Sequence, residues 1–137
     1  MPRSASHCVS TPGLHRPVRD GRLLYSHVVV GEGRRTVYVA GQLSRDAEGV
    51  VVGKGDMRAQ IRQVCENVRA ALAAAGADVT NLVKTTTYVT DIDEFFKHVD
   101  VRTAFFGDDP PVSTTVEIRR LAGPDFLVEM DAIAVLA

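Results

Sequence analysis

The sequence predicts an α+β domain in which two helices cover one face of a mixed β-sheet. Three observations predict it. The chain has 137 residues, enough for one hydrophobic core and too few for two. Along it, the spacing of apolar residues switches from the two-residue period of strands to the three-or-four-residue period of helices and back, in the order ββ(β)αβαββ. Two helices can cover only one face of such a sheet. The other face is left carrying Val, Ile and Thr side chains, and association with copies of the same chain is the simplest way to bury it.

Residues 1–22 mix Pro2, Pro12 and Pro17 with Ser, Gly and Arg and show no periodicity. They predict an N-terminal arm, laid on the surface or frayed, before a single domain over 23–137. The runs YSHVVVG, from Tyr25, and TVYVAGQ flank GEGRR and read as a β-hairpin. In DAEGVVVG, Glu48-Gly49 forms a turn and Val50–Val52 a short third strand. Between Asp56 and Gly76, the apolar residues Met57, Ile61, Val64, Val68, Leu72 and Ala75 recur on one helical face, with Arg58, Arg62, Glu66 and Arg69 on the other. Gly55-Asp56 caps the start of this helix, and Gly76, in the left-handed conformation, ends it.

NLVKTTTYVT follows as a β-branched strand reached by crossover from the helix, which implies a parallel neighbour. Asp91 stands three residues before Glu94, a capping-box spacing. Phe95, Val99, Arg102 and Phe106 then mark a second helix to about Gly107. STTVEIRRL and FLVEMDAIAVL, joined by the turn Ala122-Gly123-Pro124-Asp125, are expected to pair antiparallel.

Composition narrows the partners. Sixteen Lys and Arg against seventeen Asp and Glu leave a formal net charge of −1, so no overall field attracts nucleic acid or anionic membranes. There is also no basic stripe interleaved with aromatics, so RNA chemistry draws no support. Cys8 and Cys65 form no CxxC pair, which fits a reducing cytosol, and the first twenty residues hold no continuous apolar stretch. A soluble, cytoplasmic protein is expected.

Four segments then carry a resemblance: VYVAGQLSRD, ENVRAALAAAGAD, VKTTTYVTD and the closing PPVSTTVEIRRLAGPDFLVEMDAIAV. In order and spacing they resemble the Rid (reactive intermediate deaminase, formerly YjgF) superfamily over roughly residues 23–137. The resemblance implies a chorismate-mutase-like fold, a homotrimer, small-molecule clefts at the three subunit interfaces, and no metal or organic cofactor. It also implies a chemistry, in which water adds to the C=N carbon of a 2-imino acid and ammonia leaves. In the family an arginine clamps the substrate carboxylate with two parallel hydrogen bonds. Its place, two residues after the proline, is taken here by Ser113. The family's serine before the GQ dipeptide is Ala40, its cleft cysteine falls at Thr115, and its helix asparagine falls at Val99. The matching positions are Tyr25 for the cleft tyrosine, Gly41 for a backbone N–H aimed at the ligand, and Glu129 for the carboxylate that holds the attacking water.

The residues by themselves leave alternatives open. Glu129 and Asp131 alternate with Val128 and Met130, so both carboxylates project away from the helices. There Glu129 can serve as general base or pair with an arginine across an interface. Ser113 and Thr115 share a strand face, and their hydroxyls can line a cleft beside Glu129; threonine is also simply a good strand former. Tyr25 can order a substrate or pack with its hydroxyl at a rim. By alternation Arg119 joins the Ser113 face and is a replacement for the missing clamp or, with Arg120, a surface ion pair; Arg102, on the second helix, is another replacement. His27, His98 and Cys65 lack ligand spacing, so no metal site is expected. The glycines lack the context of a phosphate loop. The expected activity is deamination of an imine or enamine other than an ordinary 2-imino acid; the alternatives are a non-catalytic metabolite-binding or regulatory module, and a purely structural trimer.

Overall fold

A computed structural model describes residues 5–137; the first four residues of the expected arm lie outside them. The elements in chain order are β1 (His7–Cys8), β2 (Val18–Arg19), β3 (Arg22–Leu23), β4 (Val29–Val30), β5 (Arg35–Leu43), α1 (Met57–Ala74), a 3₁₀ turn (Val79–Asn81), β6 (Leu82–Val89), α2 (Ile92–Lys97), α3 (Asp100–Phe106), β7 (Val112–Glu117) and β8 (Val128–Leu136). The main sheet has the order β5-β8-β6-β7. β8 runs antiparallel to both neighbours, and β6 and β7 are parallel. The fold is the expected α+β type with a mixed sheet.

The helix α1 forms where the periodicity placed it. Met57, Ile61, Val64, Val68 and Leu72 are buried against the sheet, as a stripe of this period requires. Asp56 accepts a hydrogen bond from the Ala59 N–H at 3.0 Å. At the other end Gly76 takes a φ of +76°, and the Ala77 N–H reaches back to the Leu72 carbonyl at 2.9 Å, the bond that closes a Schellman motif. The buried Gln60 donates to the Gly53 and Asp125 carbonyls and accepts from the Leu127 N–H. It thereby ties the helix to the loop that precedes it and to the loop before β8.

Five expectations change. The run beginning at Tyr25 does not form a hairpin with β5: β4 pairs with β1, inside the arm, and Ser26 forms a parallel bridge with Val112. The arm itself is structured, because β2 and β3 form a hairpin about Asp20-Gly21 with φ of +52° and +76°. Two successive positive φ values define the turn whose twist matches a hairpin, and Asp-Gly is its favoured sequence. The third strand at Val50–Val52 reduces to one bridge, Arg45 to Val51. The second helix is two, separated at His98–Val99, and α3 is fastened to α1 by a bidentate Arg58–Asp100 pair at 2.9 and 2.7 Å. Finally, β7 and β8 do not pair; β8 inserts between β5 and β6, while the crossover through α2 and α3 leaves β7 parallel to β6 at the edge.

The sheet has two unlike faces. Val39, Thr85, Thr87, Val89, Met130, Ala132 and Ala134 lie under the helices and are buried. The opposite face carries Tyr38, Thr86, Tyr88, Val116, Glu129, Asp131 and Ile133, and within one chain Tyr38 is 76% exposed. Only a small cluster of Leu43, Leu121 and Phe126, with Tyr88 and Ile118 against it, covers one end of that face.

Candidate functional site

The candidate residues gather into two groups that do not touch within one chain. On the naked face, β5 carries an extra residue between Val39 and Gln42 relative to β8, a bulge that re-aims the strand. Gly41 sits at this bulge against the Glu129 side chain: a Cβ there would lie 2.7 Å from Glu129 Oε1. A larger residue there would push the Glu129 carboxylate aside. Beside them Tyr88 donates to Asp131 Oδ2 at 3.3 Å. The Asp131 charge first, and Glu129 in smaller part, raise the Tyr88 pKa, so the phenol keeps its proton and one end of the face holds two carboxylates.

The second group lines a cleft of about 610 Å³ between β7, α3 and the segment before β4. Tyr25, Ser26, His27, Lys84, Thr85, Phe96, Arg102, Ser113 and Thr115 form its walls. Tyr25 packs edge-on to His27, their ring centroids 5.3 Å apart. Thr85 and Ser113 stand opposite each other on the parallel strands, and the Thr85 hydroxyl donates to Ser113 Oγ at 2.9 Å.

Within one chain Ser113 and Thr115 therefore do not sit beside Glu129. They pair with Thr85 and Thr87, which are buried under the helices, whereas Glu129 projects from the other face. Alternation along each strand was legible, but which face of β7 matches which face of β8 depends on β6 standing between them. Arg119 also moves: β7 ends at Glu117, so alternation no longer applies, and Arg119 is exposed in the bend beyond, outside the cleft walls of this chain. Arg120 is exposed next to it. His98, at the end of α2, donates from Nε2 to Glu94 Oε1 at 3.2 Å. Among the described residues no group of three His, Cys, Asp or Glu is placed to hold a metal.

Arg102 is the residue whose weight the pattern underestimated. Its side chain is 2% exposed, the largest fully buried one among the described residues. Nη1 donates to Thr87 Oγ1 at 3.2 Å and to Thr115 Oγ1 at 2.8 Å, while Nε is buried with no partner. The rings of Phe95 and Phe106 flank the guanidinium at 5.2 and 5.4 Å. Each desolvated cation–π contact is worth about 2 kcal/mol, against a cost of several kcal/mol for burying an ion. Burial pulls its pKa down from the ordinary arginine range to about 10, and the only charge acting the other way is Cys65. That thiol is itself pushed up to about 12 by burial; it is neutral at physiological pH and no counterion.

One helix layer on a mixed four-stranded sheet, with a hydroxyl-lined edge cleft and a glycine–glutamate contact on the naked face, defines a small α+β protein of the Rid type. In its matches the chain fits that class. Residues 19–136 match the family described as Endoribonuclease L-PSP, and the protein belongs to that family. It is 41% identical over 98 residues to a RutC family protein of Pyrococcus abyssi, covering 72% of this chain and 76% of the relative. It is 32% identical over 111 residues to the 2-iminobutanoate/2-iminopropanoate deaminase of Rattus norvegicus, covering 81% and 79%. Among solved structures, a conserved Rid-family protein of unknown function from Yersinia pestis superposes with a TM-score of 0.86 at 29% identity, covering 96% of this chain and 98% of that one.

Proposed function

We propose that the protein is a homotrimeric hydrolase of the cytoplasm that deaminates a small imine or enamine at clefts between subunits. The observation that carries this is the separation of the two groups. Gly41 and Glu129 lie on the naked face and Tyr25, Ser113 and Thr115 in the edge cleft, so each group lacks what the other holds. Joining the naked faces of copies buries Tyr38 and its neighbours and brings Glu129 of one copy toward the edge cleft of the next. The similarity to an imine deaminase supports the same chemistry.

In that reaction Glu129 takes a proton from water as the oxygen attacks the C=N carbon. Glu129 passes that proton to the imine nitrogen, so the resulting carbinolamine has gained C–O and N–H bonds. Transfer of the hydroxyl proton to nitrogen and loss of the remaining C–N bond then release ammonia and leave a carbonyl. An enamine enters the same route after protonation at carbon. The Gly41 N–H and the hydroxyls of Ser113 and Thr115 orient the ligand. Ser113 brings no charge to the place of the family's arginine, which supports a substrate held differently from the ordinary 2-imino acids. An RNA substrate has less support, because the net charge is −1.

The test is subunit mixing. Glu129→Gln and the double substitution Ser113→Ala with Thr115→Val each abolish ammonia release from enzymatically generated imines. Co-refolded at equal amounts, they regain about a quarter of wild-type activity, since one interface in four then draws both intact halves. Ligand binding without turnover in the wild type would instead favour a metabolite-binding module. Activity in a monomer would overturn the interfacial reading.

A further inference from the structure

We infer that the Arg102 guanidinium, at the floor of the edge cleft, is the receptor for a carboxylate on the ligand, with the Thr115 and Ser113 hydroxyls beside it. This rests on the reading of that cleft as the ligand site and names the chemical class it takes: small organic acids.

A guanidinium offers five N–H donors in one plane. Both of its protein hydrogen bonds leave from Nη1, toward neutral hydroxyls. Nε has no partner, and none of the ion pairs among the described residues includes Arg102. The two rings beside the cation accept no in-plane hydrogen bond from it, and Nε is left unsatisfied. A buried charge in this condition is costly in a protein that never meets an anion, and buried polar groups are nearly always satisfied. Arg102 also lines the cleft together with Thr115, Ser113 and Tyr25, so the missing partner has a route to it.

Carboxylate fits better than a larger anion. The site has one guanidinium, held rigidly between two rings and two threonines, and a planar two-oxygen group matches its edge. The exposed Lys84 also lines the cleft, but as a compact, hydrated point charge it can attract an anion without orienting it. The charge thus comes from α3, beneath the strand, rather than from the strand position that Ser113 fills.

The experiment uses the full chain and measures binding of pyruvate and benzoate by calorimetry, with pyruvamide and benzamide as uncharged counterparts. The acids are expected to bind the wild type and the amides to bind at least tenfold more weakly. Arg102→Met should lose acid binding at least tenfold while leaving amide binding unchanged, and Lys84→Met should lose threefold or less. Circular dichroism and gel filtration check the fold of each variant. Should Arg102→Met fail to fold, Thr115→Val, which removes a hydroxyl that positions Nη1, should weaken acid binding three- to tenfold. Equal binding of acids and amides, no acid binding by the wild type, or loss in Lys84→Met but not in Arg102→Met would overturn the inference. Ammonia release, assayed separately on the wild type, separates it from the deaminase reading: acids should bind at Arg102 whether or not the protein releases ammonia from imines.

Discussion

At Gly41 the constraint is a distance. A methyl group placed 2.7 Å from Glu129 Oε1 must push the carboxylate away or bend the bulge. Gly41→Ala is therefore expected to lower ammonia release at least a hundredfold, about 3 kcal/mol of lost positioning, with the fold retained; steady-state assays beside thermal melts check this. Arg102 makes a pH prediction. Its folded pKa, about 10, lies below the ordinary arginine range, so folding holds the proton less well than the unfolded chain does. The resulting destabilisation is complete below about pH 10 and is relieved as pH rises above it toward the unfolded value. Carboxylate binding needs the charged form, so affinity should stay level through neutral pH and fall about tenfold per unit above pH 10. Isothermal titration up to pH 11 reads it. Of the residues that make up these two groups, Tyr25, Gly41, Ser113, Thr115 and Glu129 were legible by position. Arg102 was recognisable only as an alternative, because nothing in its helical spacing says that its far end stops among two rings and two hydroxyls without an acid.

Among the elements, α1 was the most legible, since its apolar stripe, its Asp56 cap and its Gly76 terminator all agree. Asp56→Ala should cost about 1 kcal/mol in urea unfolding and leave carboxylate binding unchanged, because the cap lies outside the cleft. Cys65 on the same helix is buried, with its thiol pushed up to about 12. It should resist iodoacetamide at pH 8 in the native protein and react once denatured, which mass spectrometry of the labelled peptide shows. The short strands were read less well. Asp20-Gly21 is a strong hairpin signal that lay inside a segment taken for an irregular arm. The run from Tyr25 is strand-like in composition, yet its bonds go to β1 and to Val112 rather than to β5. Two-residue strands carry too few alternating positions to announce a partner.

For the whole molecule the exposed face is the deciding feature. Tyr38 stands 76% exposed on a nine-residue strand, opposite Ile133 of β8, and an uncovered apolar sheet face calls for a partner. On the proposed trimeric, deaminating assembly, Tyr38→Asp should shift the protein toward monomer in sedimentation velocity and remove ammonia release, while circular dichroism keeps its α+β shape. A monomeric wild type would instead leave Glu129 and Ser113 on opposite faces with nothing to join them.

From the sequence alone came the α+β class, the single core, the long helix with both of its ends, and the strand character of every segment in the main sheet. These depend on local periods of two and 3.6 residues and on capping residues a few positions apart, so neighbouring residues suffice to specify them. Tertiary structure decided that β8 enters between β5 and β6, that β7 turns its hydroxyls under the helices, and that Arg102 is buried beside them without a counterion. Strand order and burial arise from contacts between residues far apart in the chain, and a period of two says only that faces alternate, never which face meets which neighbour.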